Sequence, residues 1–209
     1  MTQGYFITGT DTEVGKTYST VKLIQLWQSQ GLHVGAMKPV ASGCEVAADG
    51  RWLNDDVSRL SAATGQTDLD LMNPYRFLPP ISPHLAARQA GVEISLPTIV
   101  AHYQRLAAQY ERMAVEGAGG WYAPLTDQLF MADLARALQL PVILVVGMRL
   151  GCINHALLTA QAIQASGLTL AGWVANRVVP DMAAYAENLA TLDQQLPAPR
   201  LLELPYAPE

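Results

Sequence analysis

The feature that most constrains this chain is a glycine-containing loop between an apolar, strand-like segment and a helix-like segment. Residues 9–17 read Gly-Thr-Asp-Thr-Glu-Val-Gly-Lys-Thr, and they follow the apolar run from Tyr5 to Thr8 directly. A loop that ends in Gly-Lys-Thr between a strand and a helix is typical of sites that bind nucleotide phosphates. Five residues separate Gly9 from Gly15, one more than in the usual pattern. The sequence therefore predicts a phosphate-binding loop (P-loop) of unusual length.

Each residue type in this loop has a physical reason to be there. Gly15 lets the backbone approach a phosphate without a Cβ clash, and the following helix start offers free N–H groups and a positive dipole end. Lys16 can reach the β- and γ-phosphates, and the Thr17 hydroxyl can bind Mg²⁺. Glu13 has two interpretations, because an acid beside phosphates faces either a cation or the solvent.

Apolar runs alternate with helix-like stretches along the rest of the chain. Strands are predicted at 5–8, 33–40, 113–116, 142–147, 170–176 and 201–204, and helices at 17–30, 97–112, 131–139, 153–166 and 181–195. The segment 41–83 is rich in Gly, Asp, Asn and Pro and is predicted to be a long irregular loop. This pattern predicts a single α/β domain, residues 1–209, with a mostly parallel sheet covered by helices on both faces.

Composition and charge exclude several classes of function. Half of the residues are apolar and 15% are charged, which suits a folded domain with a large core. The net charge of −5 does not favour binding to nucleic acid or to an anionic membrane. Cys44 and Cys152 match no metal spacing, and no apolar run is long enough to span a membrane. We therefore expect a cytoplasmic protein.

Further acids and a second lysine are predicted at the carboxyl ends of the strands, where parallel sheets bind ligands. Glu116 ends one strand, and Lys38 ends another. Either Asp55 or Asp56 could supply a second carboxylate for Mg²⁺, which prefers oxygen ligands. Two lysines at neighbouring strand ends would neutralise the charge that develops in phosphoryl transfer.

Five stretches together resemble the dethiobiotin synthetase family, and they occur in family order over nearly the whole chain. They are residues 6–17 (Phe-Ile-Thr-Gly-Thr-Asp-Thr-Glu-Val-Gly-Lys-Thr), 38–43 (Lys-Pro-Val-Ala-Ser-Gly), 115–121 (Val-Glu-Gly-Ala-Gly-Gly-Trp), 151–156 (Gly-Cys-Ile-Asn-His-Ala) and 172–176 (Gly-Trp-Val-Ala-Asn). The five-residue spacing in the phosphate loop is the family's own.

The resemblance implies an ATP- and Mg²⁺-dependent ligase of biotin biosynthesis that acts on 7,8-diaminopelargonate (7,8-diaminononanoate). CO2, supplied as bicarbonate, would add to one amine to give a carbamate, and the carbamate would attack the γ-phosphate of ATP. The second amine would then displace phosphate from the mixed carbamic–phosphoric anhydride and close the ureido ring. The products would be dethiobiotin, ADP and phosphate.

The resemblance also implies a role for each matching residue. Lys38, Lys16 and Thr12 would be catalytic, and the Mg²⁺ ligands would be Thr17, Asp56 and Glu116, with Asp56 chosen because Asn54-Asp55-Asp56 matches the family's Asn-x-Asp. The nucleotide site would comprise Glu13, Val14, Gly15, Lys16, Thr17, Asp56, Glu116, Gly117, Ala118, Gly119, Asn176 and Pro205. The diamine site would comprise Thr12, Lys38, Ser42, Gly151, Cys152, Ile153, Asn154 and Tyr185.

Family members are homodimers in which the helix start, here Gly151 to Asn154, binds the carboxylate of the diamine in the partner subunit's site. Two departures from the family pattern stand out. A family tyrosine is replaced by Asn188, and Tyr185 lies on the same helix face and is predicted to substitute for it. The chain also ends at Glu209, where family members continue into a final helix, and we expect its loss to affect the adenine side.

Two other functions remain compatible with the sequence. A paralogue would bind nucleotide and a different diamine or carboxylate. A regulatory or partitioning ATPase of the related deviant P-loop group would carry an extra lysine early in the loop, and Gly9 to Val14 contain none.

Overall fold

The central element of the fold is a sheet of six parallel strands. A computed structural model describes residues 2–207. The strands are β1 (Gln3–Gly9), β2 (Val34–Met37), β3 (Val40–Ser42), β4 (Glu45–Val46), β5 (Trp52–Leu53), β6 (Tyr75–Phe77), β7 (Arg112–Gly120), β8 (Val142–Met148), β9 (Leu170–Arg177) and β10 (Arg200–Leu204). The central sheet has the order β10-β9-β8-β1-β7-β2, and all its neighbouring pairs are parallel.

Helices cover both faces of this sheet. They are α1 (Lys16–Ser29), α2 (Asp55–Thr64), α3 (Leu69–Met72), α4 (Pro83–Ala90), α5 (Leu96–Ala107), α6 (Met131–Leu138), α7 (Cys152–Ala165) and α8 (Tyr185–Gln195). Successive residues of β8 alternate between two cores, because side chains of a strand point to opposite faces. Leu144 and Val146 pack with α5 to α8, and Ile143 and Val145 pack with α1 and α2. The predicted α/β class with a parallel sheet is confirmed.

The connection from β1 to α1 places the phosphate loop at the carboxyl edge of the sheet. Thr10 N–H donates to the carbonyl of Val145 on the neighbouring strand β8 at 3.0 Å. The side chain of Val14 is buried under the loop. Helix α1 ends at Ser29, and Gly31 follows with a φ of 84°. This glycine provides the left-handed residue that ends the helix.

The predicted strand 33–40 exists as β2 but is too long, because the chain leaves the central sheet at Lys38. Strand β2 ends at Met37, and Lys38 N–H donates to the carbonyl of Met72 at 3.0 Å. After Pro39, which has no N–H to give to a sheet, β3 pairs in parallel with β6 in a separate two-stranded sheet. Lys38 therefore lies at the junction between the two sheets.

The segment 41–83 is not the irregular loop predicted from its composition. It contains β3 to β6, helices α2 and α3, and the first residue of α4. Asn54 caps α2 by accepting a hydrogen bond from Val57 N–H, and Gly65 with a φ of 75° ends it. Asp55 and Asp56 consequently lie in the first turn of a helix, where acids are favourable.

Three further bounds differ from the prediction. The helix predicted over 97–112 ends at Ala107, and the helix predicted over 181–195 begins at Tyr185, after Ala184 in a left-handed conformation. Strand β7 extends through Gly117 to Gly120.

Both cysteines are free and buried. Within residues 2–207, no helix has the length and apolar character to cross a membrane.

Three residues lie outside the part of the chain that the structure describes, namely Met1, Pro208 and Glu209. The ends of the predicted domain 1–209 therefore fall outside the described residues. The same holds for the prediction about the chain end at Glu209.

Candidate active site

A cavity of about 1210 Å³ lies at the carboxyl edge of the central sheet. Residues of the phosphate loop, Lys38 and Asn176 line it from the central sheet. Residues around β3, the start of α2 and the loop 80–83 line it from the other side. The cavity is therefore bounded by the central sheet on one side and by the segment 41–83 on the other.

The phosphate loop accommodates its extra residue through backbone conformation. Glu13 and Gly15 have positive φ values of 57° and 75°. Left-handed residues in such a turn direct successive N–H groups into one concavity, which favours an anion. Gly15 is required twice over, because a Cβ at this position would also lie 2.1 Å from Asn176 Nδ2.

Lys16 lies within the loop and is nearly buried. Its ammonium donates to the carbonyl oxygen of Asp11 at 3.0 Å. Burial and, to a lesser extent, the nearby charge of Lys38 lower the pKa of Lys16 from 10.5 to about 8, although Glu116, Asp56 and Asp11 oppose the shift. A buried cation with so little compensation is suited to bind an anion, which would restore its ordinary affinity for a proton.

Lys38 lies at the centre of a buried charge cluster. Its ammonium is 2.6 Å from Glu116 Oε1 and 2.8 Å from Asp56 Oδ2, and it donates to the carbonyl of Gly117 at 3.2 Å. Burial lowers the pKa of Lys38, but the two carboxylates outweigh this effect and raise it above its usual value. The same charge lowers the pKa of Asp56 in spite of the burial of that carboxyl group. Lys38 therefore stays charged at neutral pH.

Asp56 reaches the cluster because α2 is anchored at its start. The Asn54 side chain caps the helix through its oxygen, and its amide donates to the carbonyl of Ser42 at 3.1 Å. The Asn-x-Asp pattern thus has two distinct parts, in which Asn54 fixes the helix start to β3 and Asp56 projects into the site.

The oxygen atoms beside Lys38 fit a hard divalent cation such as Mg²⁺. Thr17 Oγ1 is 2.5 Å from Asp56 Oδ1 and 2.7 Å from Glu116 Oε1, although a hydroxyl has only one proton to donate. Glu116 is fully buried, and its Oε2 has no hydrogen-bond partner among the described residues. Within residues 2–207, no group of three His, Cys, Asp or Glu side chains could hold a metal, so any site here depends on the threonine.

Two further predicted diamine residues, Ser42 and Thr12, line the same cavity as Lys38. Ser42 ends β3, and its buried hydroxyl has no partner among the described residues, which leaves it free for a ligand. Thr12 is exposed, and its N–H donates to Asp11 Oδ1 at 2.8 Å. Ala118 and Gly119 also line the cavity.

Several predicted site residues do not line the cavity of the single chain. They are Val14, Glu116, Gly117, Gly151, Cys152, Ile153, Asn154, Tyr185 and Pro205. Glu116 and Gly117 nevertheless contact Lys38 directly, and the Val14 carbonyl accepts a hydrogen bond from Asn176 Nδ2 at 2.9 Å. The roles of these residues remain predictions.

Tyr185 lies at the start of α8, away from the cavity. The Arg177 guanidinium lies 4.6 Å from the centre of the Tyr185 ring, and the Tyr185 hydroxyl donates to Glu203 Oε1 at 3.1 Å. Burial and the bond to the Glu203 carboxylate raise the pKa of Tyr185 to about 12. Its predicted substitution for the family tyrosine would therefore require the ring to act at a site outside this chain's own cavity.

Sequence reasoning missed other residues of the cavity wall. They are Tyr18, Asn54, Arg59, Pro80, Ile81, Ser82, Val178 and Tyr206. Arg59 follows Asp56 by three residues, so helical periodicity places it on the same face of α2. Tyr206 follows Pro205 and provides an aromatic ring at the edge where the base is predicted to bind.

Comparisons with known proteins identify related sequences. The model of a family described as an AAA domain matches residues 3–209. The chain is 50% identical over 206 residues to the ATP-dependent dethiobiotin synthetase BioD of Pseudescherichia vulneris. The alignment covers 99% of this chain and 86% of that protein. The chain is 51% identical over 206 residues to the protein of the same name in Pseudomonas aeruginosa, with coverages of 98% and 90%.

The fold also resembles solved structures of distant proteins. The crystal structure of a ParA family ATPase from Chlorobium tepidum TLS aligns with a TM-score of 0.54 at 13% identity, and the alignment covers 99% of this chain and 86% of that chain. At this level of identity the likeness shows the fold alone.

Proposed function

The chain belongs to the family of ATP-dependent dethiobiotin synthetases, ligases of biotin biosynthesis, and we propose that it closes the ureido ring from 7,8-diaminopelargonate, CO2 and ATP by way of a carbamate and a carbamic–phosphoric anhydride. The observation that carries this route is Lys38, a charged and buried lysine that faces the phosphate loop across one cavity. The proposal assigns a role to each group around it.

The nucleotide binds along the phosphate loop in this proposal. The left-handed turn at Glu13 and Gly15 presents backbone N–H groups to the phosphates, and Lys16 leaves the Asp11 carbonyl to contact them. Asn176 uses its amide group to hold the loop at Val14, which leaves its Oδ1 to accept from the exocyclic amine of adenine. Pro205 and Tyr206 border the base.

Thr17, Asp56 and Glu116 would hold Mg²⁺. When bound, this ion neutralises phosphate oxygens and thereby assists transfer of the γ-phosphoryl group. The crowded hydroxyl of Thr17 and the unpartnered Oε2 of Glu116 support this assignment. In the absence of a metal, the Lys38 ammonium neutralises the two carboxylates.

Lys38 and Lys16 act on the reacting groups. Lys38 provides a fixed positive charge for the carbamate oxygen as it approaches the γ-phosphate, and Lys16 stabilises the charge on the transferring group. Thr12 and Ser42 hold the diamine so that its second amine reaches the anhydride carbon, and phosphate leaves. Charges aligned in advance in a site that excludes water contribute several kcal/mol to catalysis.

The far end of the diamine is proposed to lie against a second subunit. Residues Gly151 to Asn154 open α7 with no side-chain cap, and they lie outside the cavity of their own chain. Leu150, which precedes this helix, is 95% exposed, and Leu158 within it is 58% exposed. A second copy packed on this face would cover both leucines and bring the helix start to the diamine carboxylate. The proposed location is the cytoplasm, which supplies ATP.

An assay of dethiobiotin formation tests the route. We expect dethiobiotin and phosphate to appear in equal amounts, and only when diaminopelargonate, bicarbonate and ATP are all present. Lys38→Ala should lower turnover by at least about two orders of magnitude, because it removes a charge aimed at the transition state. The matched control is Lys22→Ala, on the half-buried part of α1 away from the cluster.

Other outcomes would support different functions. Phosphate release that is independent of the diamine, without dethiobiotin, would favour a regulatory ATPase. Turnover of another diamine in preference to diaminopelargonate would favour a paralogue. Unchanged turnover in Lys38→Ala would show that Lys38 has been assigned the wrong role.

A further inference from the structure

Asp11 makes three contacts that together hold the phosphate loop. Its backbone carbonyl accepts from the Lys16 ammonium at 3.0 Å, and its Oδ1 accepts from Thr12 N–H at 2.8 Å. Its Oδ2 forms an ion pair with Arg149 Nη2 at 2.9 Å. The residue therefore connects a lysine and a threonine of the proposed site to a side chain that lies 138 positions away in the sequence.

Arg149 in turn belongs to the connection that starts α7. It follows the last residue of β8, and its backbone carbonyl accepts from Cys152 N–H, at the first residue of the helix, at 3.0 Å. The side chain of Arg149 thus holds the phosphate loop while its backbone holds the helix start. Gly151 lies between Arg149 and Cys152 and has a φ of 94°, so the turn contains a left-handed residue.

We propose that the Asp11–Arg149 ion pair couples ATP binding at the phosphate loop to diamine binding at the start of α7, with Arg149 as a positioning residue. This inference rests on the proposed function, in which Gly151 to Asn154 bind the diamine carboxylate in the partner subunit's site. Nucleotide draws Lys16 away from the Asp11 carbonyl and orders the loop backbone, and the Asp11 side chain transmits this change to Arg149 through the ion pair. The turn from Arg149 to Cys152 is thereby held in the conformation that presents the free N–H groups of α7.

The ion pair between Asp11 and Arg149 is partly exposed to solvent. The Arg149 and Asp11 side chains are 40% and 50% exposed. An ion pair of this kind contributes little to global stability, so variants that remove it should fold. Its effect should appear instead in the mutual influence of the two ligands, and this influence is reciprocal by thermodynamic linkage.

Calorimetric titrations of the intact protein test the proposal. The dissociation constant of 7,8-diaminopelargonate is measured without nucleotide and with a saturating, non-hydrolysable ATP analogue plus Mg²⁺. In the native protein we expect the analogue to tighten diamine binding by about 5- to 150-fold. The ratio of the dissociation constant without nucleotide to that with the analogue should fall to nearly one in Arg149→Met and in Asp11→Asn. The asparagine keeps an acceptor for Thr12 N–H but loses the charge.

Two further variants separate positioning from a general structural effect. Arg149→Lys should retain most of the ratio, because lysine can still reach the carboxylate. Arg136→Met is the matched control, since Arg136 pairs with Asp133 on the surface of α6 at 3.6 Å and should leave the ratio unchanged. High salt should reduce the ratio in the native protein, because a half-exposed ion pair is screened.

The outcomes are decisive in either direction. A ratio near one in the native protein, or the same ratio in native protein and Arg149→Met, overturns the coupling. If dethiobiotin still forms in those cases, the proposed function stands and only the coupling is lost. If the diamine does not bind at all and no dethiobiotin forms, both proposals fail together.

Discussion

Replacing Lys16 with methionine should separate two properties of this lysine, because the positive charge that is proposed to bind phosphate is also the charge that burial destabilises. Lys16 is 8% exposed, and burial lowers its pKa from 10.5 to about 8. At pH 7 the folded protein still carries the proton, at a cost of roughly 3 kcal/mol in the free energy of unfolding. Methionine has a similar length and no charge, so Lys16→Met should stabilise the ligand-free protein by up to this amount.

The sign of the pH dependence follows from linkage. Between pH 8 and 10.5 the unfolded chain binds more protons at Lys16 than the folded protein does, so native stability gains from this group as the pH rises. The advantage of Lys16→Met should therefore be complete below about pH 8 and should disappear as the pH approaches 10.5. Lys38 has the opposite sign, because its raised pKa contributes stability that is complete below its ordinary value of 10.5 and is lost at higher pH.

The assay is thermal and urea unfolding in a buffer free of phosphate, sulfate and nucleotide, since these anions would compensate the charge. A gain of about 3 kcal/mol corresponds to a rise in Tm of roughly 6–12 °C for a chain of this size. With a nucleotide analogue at about 100 times Kd, the native protein should gain about 2.7 kcal/mol and Lys16→Met almost nothing. Lys22→Met, on the same helix, controls for the substitution itself. Equal stability of native protein and Lys16→Met at pH 7, or an advantage that persists unchanged at pH 10.5, would refute the reasoning.

Three other variants test the site. Lys38→Met should lower the free energy of unfolding by about 3–5 kcal/mol in the absence of metal, because it leaves buried carboxylates uncompensated. Adding Glu116→Gln should recover part of this loss. Urea unfolding with and without EDTA measures both changes, and an equally unstable double variant would contradict the account. Asn54→Ala should cost about 1 kcal/mol through loss of the α2 cap and should raise the KM for Mg·ATP, and a change in stability alone would limit Asn54 to a structural role. Gly15→Ala should abolish nucleotide binding in calorimetry, because its Cβ would lie 2.1 Å from Asn176 Nδ2 in a left-handed backbone, whereas tight binding would show that the loop adjusts.

The central sheet and the phosphate loop could be predicted because their signals are local. Each buried parallel strand is a short apolar run, and the Gly-Lys-Thr triplet marks the junction of a strand with a helix. Strand β7 was predicted too short, since the glycines after Glu116 resemble a loop. In the structure they continue the strand, and Gly120 still pairs with Gly9.

The segment between the two lysine-bearing strands could not be predicted in the same way. Its short strands β3 and β6 gain their stability from each other across 32 intervening residues, and no local pattern records that pairing. Helix α2 does have sequence signals at its ends, namely Asn54 before two acids and Gly65 after the last turn. The polar composition of the segment nevertheless favours a loop. The pairing of Asp56 with Lys38 is likewise a result of tertiary packing, and the sequence alone left Asp55 and Asp56 as alternatives.

The break in the strand at Lys38 and Pro39 divides the proposed active site between two segments of the chain. The phosphate loop and the end of β7 belong to the central sheet, whereas Ser42, Asp56 and the loop 80–83 belong to the segment that follows the break. Selection, or a designer, could therefore remodel the proposed diamine pocket at Ser42 and the loop 80–83 while leaving the phosphate loop intact. The boundary between the two segments is the peptide bond after Lys38, and the lysine at that boundary contacts groups from both, namely Glu116 of β7 and Asp56 of α2.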